Sequence, residues 1–152
     1  MLGALKKVYL ESLKPRDIPF NIYVARPLAA PFVLFFARIG TTPNQVTLLA
    51  LLPAIAGVAL FVALPGEKGF WFGLIAFEFA YVLDCVDGQL ARYTGQATLA
   101  GARLDFAMDG LKALMMVGAL GFRVQMESGF TPQSACLSVA TVTILAMALI
   151  CT

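Results

Sequence analysis

Long apolar runs separated by short polar segments make up most of this chain from residue 43 to residue 152. A helix needs about 20 predominantly apolar residues to cross the hydrocarbon core of a bilayer, and each run is close to that length. The pattern therefore predicts four membrane spans, over residues 43–64, 70–86, 101–122 and 131–152. Pro53 lies inside the first span and predicts a bend there, since proline removes a helical hydrogen bond.

Cap residues and turns set the boundaries of these spans. Thr42, Pro43 and Gln45 provide an N-cap, a proline at the first helical position and a glutamine at the third, and Thr131 and Pro132 repeat the cap and the proline. The intervening segments are predicted as an external turn over residues 65–69, a cytoplasmic loop over residues 88–100 and a short external loop over residues 123–130.

The first forty residues differ in character from the rest. Residues 1–19 are mixed and polar, whereas residues 20–39 are apolar but contain Arg26, Pro27, Pro31 and Arg38. A segment this short with charged ends is more typical of an interfacial amphipathic helix than of a span. We therefore divide the chain into a cytoplasmic N-terminal segment with a juxtamembrane amphipathic helix, residues 1–40, and a transmembrane domain, residues 41–152.

Composition and charge agree with a membrane protein. The chain is 60% hydrophobic and only 13% charged, with mean hydropathy +0.84, and a net charge of +2 is too small to indicate a nucleic-acid partner. Basic residues are concentrated near the N-terminus, which places that end in the cytoplasm. Histidine is absent, so a general base or metal ligand has to come from Asp, Glu or another polar group.

Four carboxylates lie at the cytoplasmic ends of the second and third predicted spans: Asp84, Asp87, Asp105 and Asp109. The members of each pair are three or four residues apart, so each pair shares one face of its helix. One carboxylate in a membrane segment costs about 2.5–3.5 kcal/mol, and a lone Asp is as readily a structural polar group as a functional one. Four together predict a site for divalent ions with oxygen ligands, Mg²⁺, Mn²⁺ or Ca²⁺, and a pair of ions is plausible.

The motif around these carboxylates resembles that of a known family. Eight positions fit the pattern D-x2-D-G-x2-A-R-x8-G-x3-D-x3-D of the CDP-alcohol phosphotransferases, integral-membrane enzymes of phospholipid synthesis, without a gap: Asp84, Asp87, Gly88, Ala91, Arg92, Gly101, Asp105 and Asp109. The stretch from Thr42 to Thr47 also resembles the start of that family's first span. The resemblance implies an all-α integral-membrane bundle with an interfacial helix, usually of six spans where four are predicted here, and a homodimer.

The resemblance also implies roles for the motif residues. Two divalent cations, Mg²⁺ or Mn²⁺, would be bound by Asp84, Asp87, Asp105 and Asp109, and Asp109 would act as general base. The CDP group would contact the set Asp84, Asp87, Gly88, Ala91, Arg92 and Gly101. The implied reaction moves a phosphatidyl or other substituted phosphate group from a CDP-linked donor, CDP-diacylglycerol in the usual bacterial case, to a small alcohol or polyol phosphate, and releases CMP at the cytoplasmic face.

Some features leave alternatives open. Four spans instead of six lead us to expect a domain incomplete at its C-terminus, and an inactive truncated scaffold is one alternative function. A divalent-cation transporter or channel is another, although it would not need Gly88, Ala91 and Arg92 at their spacing.

Several polar residues near the motif have structural explanations. Arg103 and Lys112 are suited to an acceptor phosphate, but a topological cation and a lysine reaching for the membrane interface explain them more simply. Nucleotide contact and helix capping explain Thr94 and Thr98 equally well. Asn44 and Thr47 are placed to face the same pocket, although capping of the first span explains them sufficiently.

Overall fold

The computed structural model describes Val8, residues 21–64 and residues 66–128, and these residues form helices without any strand. A wide π-type turn, Asn21–Ala25, leads into the first of five α-helices. We number them α1 to α5, in the order Arg26–Arg38, Pro43–Leu49, Leu51–Ala63, Gly66–Tyr93 and Leu99–Ser128.

Two segments of the described chain are long and apolar enough to cross a membrane: Pro43–Ala63, which comprises α2 and α3, and Gly66–Tyr93, which is α4. They correspond to the first two predicted spans. The third predicted span falls within α5, which spans 30 residues but also carries charged side chains along its length. The fourth predicted span lies outside the described residues.

The break between α2 and α3 lies at Ala50, three residues before the proline that predicted it. Pro53 has no N–H to donate to the carbonyl of Leu49, and its ring crowds that carbonyl. The distortion therefore occurs one turn before the proline. In α1, by contrast, Pro27 lies in the first turn and Pro31 inside a helix that continues to Arg38. The helix predicted in this region is thus observed, whereas its location at a membrane interface stays a prediction.

The second predicted helix is too short at its C-terminal end. The prediction ended it near Val86, but α4 continues to Tyr93. Gly95 has φ of 67°, and the N–H groups of Gly95 and Gln96 donate to the carbonyls of Arg92, at 3.3 Å, and Ala91, at 2.9 Å. This is a Schellman motif with glycine in the left-handed conformation. Gly95 therefore terminates the helix just after Tyr93, and the first half of the carboxylate motif is helical throughout.

The loop predicted over residues 123–130 is also wrong in its first part, because α5 extends to Ser128. Arg123, the first residue of the predicted loop, lies within this helix. Its side chain is buried within the second compact unit of the chain.

The chain divides into two compact units, Met1–Ala50 with Phe79–Phe106 and Leu51–Glu78 with Ala107–Thr152. The first unit has a core of mostly small and branched apolar side chains from Val8, α1, the segment from α2 to Ala50, and the second half of α4. Its buried members are Val8, Ala29, Ala30, Val33, Phe36, Val46, Ala50, Leu83, Val86 and Leu90. This core fixes α2 against the half of α4 that carries the motif.

In the second unit, α3 packs against the first half of α4 through aromatic rings and glycines. The rings of Phe61 and Phe77 stack with centroids 5.8 Å apart. A Cβ on Gly57 would lie 2.7 Å from Phe77 Cδ2, and one on Gly73 would lie 2.8 Å from Phe61 Cδ1. Each ring thus occupies the space that the opposing glycine leaves, which allows the two helices to approach closely.

Arg123 closes the end of α3 in this unit. Its Nη1 donates to the carbonyls of Phe61, at 3.1 Å, and Leu64, at 3.2 Å, and its Nη2 donates to the carbonyl of Gly66. Nη2 also lies 2.9 Å from Glu127 Oε1. One guanidinium thus bonds the carbonyls of Phe61 and Leu64 at the end of α3, where intrahelical donors run out, and the carbonyl of Gly66 at the start of α4.

Candidate functional site

The first half of the motif lies on consecutive turns at the end of α4. Residues three and four apart lie on the same side of a helix, so Asp84, Asp87, Gly88 and Ala91 form one stripe, with Arg92 beside it. Asp87 is only 3% exposed. The second half begins at α5, where the Thr98 hydroxyl accepts a hydrogen bond of 3.0 Å from the Gly101 N–H and caps the helix.

A cavity of about 210 Å³ in the first unit brings the two halves together. Six motif residues line it: Asp87, Gly88, Ala91 and Arg92 from α4, and Gly101 and Asp105 from α5. The remaining walls are the start of α2, with Pro43, Asn44 and Thr47, the loop at Gln96 to Thr98, and Ala102. The cavity therefore has acidic, basic and small apolar walls within one volume.

Three of the carboxylates lie close together. Asp84, Asp105 and Asp109 each offer one oxygen, and these three oxygens lie within 4.8 Å of one another. Asp109 lies one turn beyond Asp105 on the same helix. Such an all-oxygen set is of the kind that Mg²⁺ and Mn²⁺ prefer, so the residues fit the divalent cations that the sequence predicts.

Asp87 is not a member of this group of three. Its Oδ2 accepts a buried hydrogen bond from the hydroxyl of Thr47 on α2. Asp105 belongs to both arrangements, because it lines the cavity with Asp87 and contributes an oxygen to the carboxylate group. The four acidic residues thus form a group of three and a fourth that is bonded to the neighbouring helix.

The two motif glycines have different surroundings. A Cβ on Gly101 would lie 3.1 Å from Asn44 Oδ1 and 3.1 Å from Thr98 Oγ1, whereas the nearest atom to a Cβ on Gly88 would be Arg92 Nη1 at 3.6 Å. Gly101 therefore permits a close approach between the starts of α2 and α5. Gly88 instead leaves its backbone open beside the Arg92 guanidinium.

The sequence places Asn44 and Thr47 where they can face the pocket, but it also allows capping as a sufficient explanation for both. The capping box is present, and the Thr42 N–H donates to Gln45 Oε1 at 2.9 Å, but neither Asn44 nor Thr47 is needed for it. Both residues line the cavity. The signal for this was their position at the same end of the first span as the motif.

Lys112 does not reach away from the site as the sequence suggested. Its Nζ lies 2.8 Å from Asp109 Oδ1, and its side chain is 10% exposed. Thr98 caps α5 and also lines the cavity, whereas its contact with a nucleotide stays a prediction. Thr94 donates to the carbonyl of Leu90 at 2.8 Å, which is a local bond within α4. Arg103 is exposed.

Comparison with known proteins gives a consistent result. The sequence model of the CDP-alcohol phosphatidyltransferase domain matches residues 40–152. A phosphatidylinositol phosphate synthase of Streptomyces avermitilis is 39% identical over 79 residues, which are 52% of this chain and 31% of that protein. The synthase of Mycobacterium marinum is 32% identical over 101 residues, or 64% and 38% of the two chains. That of Mycolicibacterium smegmatis is 36% identical over 84 residues, or 55% and 36%. The matched segments thus span well under half the length of these curated relatives.

Proposed function

The chain belongs to the CDP-alcohol phosphatidyltransferase family, and we propose that it transfers a phosphatidyl group from a CDP-linked lipid to an acceptor alcohol and releases CMP. The main observation behind this proposal is that residues from both halves of the motif line one cavity. The first half supplies Arg92, Asp87 and the open backbone at Gly88, and the second half adds Gly101 and a further carboxylate, Asp105, to the same wall. A diphosphate with a nucleoside at one end needs basic, acidic and open backbone surfaces together.

The residues of the cavity suit the CDP group. Arg92 presents a planar guanidinium, which pairs well with phosphate oxygens. Gly88, Ala91 and Gly101 add little side-chain bulk, so a nucleotide can approach the helix backbone there. Because Arg92 and these small residues are near neighbours on the cavity wall, we assign the cavity to the CDP part of the donor.

We assign the divalent cations, Mg²⁺ or Mn²⁺, to Asp84, Asp105 and Asp109, whose oxygens are grouped, and to Asp87 beside them. When bound, such cations neutralise the negative charge of the diphosphate and of the leaving phosphate. The chain's own contribution is to hold these carboxylates in register, through α4 and α5, next to the nucleotide cavity.

The proposed reaction forms one bond and breaks one. The acceptor hydroxyl oxygen attacks the phosphorus that carries the lipid, and the bond from this phosphorus to the bridging oxygen breaks, so CMP leaves with that oxygen. Asp109 accepts the proton of the acceptor hydroxyl. Its carboxylate is 48% exposed, which leaves it accessible to an acceptor, and the Lys112 ammonium holds one of its oxygens.

The names of the relatives indicate the acceptor class. A phosphatidylinositol phosphate synthase produces a phosphatidyl group joined to an inositol phosphate. We therefore propose CDP-diacylglycerol as donor and a polyol phosphate of the inositol phosphate type as acceptor. Assembly as a homodimer and a cytoplasmic location of the site remain predictions.

Calorimetric titration of the detergent-solubilised chain with CDP tests the proposal directly. We expect binding that requires Mg²⁺ or Mn²⁺, is much weaker for ADP, and is lost in Asp87→Asn. CMP release from CDP-diacylglycerol with inositol phosphate then tests the acceptor. If the sample is helical and binds metal but does not bind CDP, the transferase assignment is overturned. Metal flux into vesicles would then support a cation pathway.

A further inference from the structure

The Thr47 hydroxyl has two acceptors and a single proton. Its Oγ1 lies 3.1 Å from the carbonyl oxygen of Pro43, one turn earlier on α2, and it also contacts Asp87 Oδ2 on α4. Neither a carbonyl nor a carboxylate can donate in return. Hydrogen bonds to an ionised acceptor are about twice as strong as neutral ones, so the proton is directed to Asp87.

The hydrogen bond between Thr47 and Asp87 is buried, which strengthens its effect on the carboxylate. Thr47 is 2% exposed and Asp87 is 3% exposed, so water does not compete for the carboxylate oxygen. The terminal torsion of an Asp side chain has broad, poorly defined minima. The rotamer alone therefore does not fix the plane of the Asp87 carboxylate, whereas a hydrogen bond to one of its oxygens does.

The structure around Thr47 is well suited to hold this orientation. Pro43 and the Thr42–Gln45 capping pair define where α2 begins, and Val46 and Ala50 on either side of Thr47 are buried in the core with Val86 and Leu90 of α4. The hydroxyl is thus anchored by packing on both sides. It meets Asp87 from a neighbouring helix, 40 residues away in sequence.

We propose that Thr47 is a positioning residue that orients the Asp87 carboxylate for binding of the CDP–metal complex. The inference rests on the proposed function, because it assumes that Asp87 binds that complex. Thr47 also lines the cavity, but in this proposal its effect on binding passes through Asp87.

Two substitutions at position 47 separate the hydroxyl from the rest of the side chain. Thr47→Val keeps the shape and removes the hydroxyl, and Thr47→Ser keeps the hydroxyl. We expect Thr47→Val to weaken Mn²⁺-dependent CDP binding by about tenfold, the equivalent of one hydrogen bond to a charged group. Thr47→Ser should bind within about twofold of the unsubstituted protein, since its hydroxyl can still reach the carboxylate.

Thr94→Val provides a matched control. Thr94 makes the same kind of bond to a carbonyl one turn earlier, at 2.8 Å, but it is not a member of the cavity wall. We expect this variant to bind CDP as the unsubstituted protein does. Far-ultraviolet circular dichroism of every variant verifies that the helices are intact, and Thr47→Ala replaces Thr47→Val if the valine variant does not fold.

A double-mutant cycle decides whether Thr47 acts through Asp87. With Mn²⁺ affinity as the readout, Thr47→Val should have no further effect in the Asp87→Asn background. An equal loss in both backgrounds, or unchanged affinity in Thr47→Val alone, would overturn the proposal while leaving the transferase function standing. Absence of CDP binding by the unsubstituted protein would instead overturn the proposed function itself.

Discussion

Asn44 and Gly101 approach each other so closely that a Cβ on Gly101 would lie 3.1 Å from Asn44 Oδ1. The same Cβ would lie 3.1 Å from Thr98 Oγ1, which caps α5. Both neighbours line the cavity. An alanine at this position therefore requires the cavity wall to move by a few tenths of an ångström.

Gly101→Ala should weaken CDP binding by about tenfold, because overpacking of this kind costs about 1–3 kcal/mol and each 1.4 kcal/mol is tenfold. Gly118→Ala on the same helix is the matched control, since no described atom lies within 4 Å of its added Cβ. We expect the control to keep its affinity and to gain up to about 1 kcal/mol of stability from helix propensity. Calorimetry of both variants checks the prediction, and equal affinities would contradict it.

Asp105→Asn should weaken Mn²⁺ binding by at least about tenfold. Loss of a group one shell beyond a metal commonly costs 10–100-fold, and Asp105 supplies an oxygen to the carboxylate group itself. Free Mn²⁺ measured by electron paramagnetic resonance reports this without nucleotide or turnover. Glu67→Gln is the control, because it removes a carboxylate from the first turn of α4, away from the motif. Equal Mn²⁺ affinity in the two variants would remove Asp105 from the metal site.

Lys112→Met should lower kcat by about threefold to tenfold while CDP affinity stays within about twofold. The Lys112 ammonium holds Asp109 Oδ1 at 2.8 Å, and the carboxylate is 48% exposed, so the expected loss lies at the lower end for a charge-assisted bond. Methionine keeps the long unbranched chain that packs along α5. Steady-state kinetics together with CDP titration separate the two effects. Loss of CDP affinity at unchanged kcat would assign Lys112 to nucleotide binding.

Arg123→Met should lower the unfolding temperature and leave CDP affinity unchanged. The substitution removes the donor that the carbonyls of Phe61, Leu64 and Gly66 share. Because the bond to Phe61 is buried, we expect a cost of about 1–3 kcal/mol. Arg123→Lys should recover only part of the loss, because a point charge cannot replace the planar fork. Thermal unfolding in detergent measures the effect. A lysine variant as stable as arginine would show that charge alone suffices.

The carboxylate motif was predictable because its spacing follows the helix repeat. Asp84 and Asp87, like Asp105 and Asp109, are separated by about one turn, so their shared faces follow from the sequence. The sequence also predicts that two consecutive antiparallel spans bring their acidic ends together, and the grouping of Asp84 with Asp105 and Asp109 agrees with this. Burial and partner choice do not follow from spacing, which is why the bond between Asp87 and Thr47 was missed.

The ends of α4 and α5 could not be predicted from the local sequence alone. Gly88 and the polar residues after it looked like the start of a loop, but the stop signal is Gly95, which alone adopts the left-handed conformation there. Arg123 falls in the loop predicted over residues 123–130, although it lies within α5. Its partners are carbonyls on a helix about 60 residues earlier, and no local pattern reveals such a distant acceptor.

Because α4 is helical throughout the first half of the motif, the number of residues in this part of the helix is more strictly constrained than their identity. One inserted or deleted residue between Asp87 and Arg92 would rotate every later side chain by about 100° around the helix axis, and Arg92 would leave the wall it shares with Asp87. The loop after Tyr93 has no such periodicity, so it can absorb a change in length more easily. A change in length after Gln96 should accordingly be less disruptive than one within the last two turns of α4, although the loop also lines the cavity.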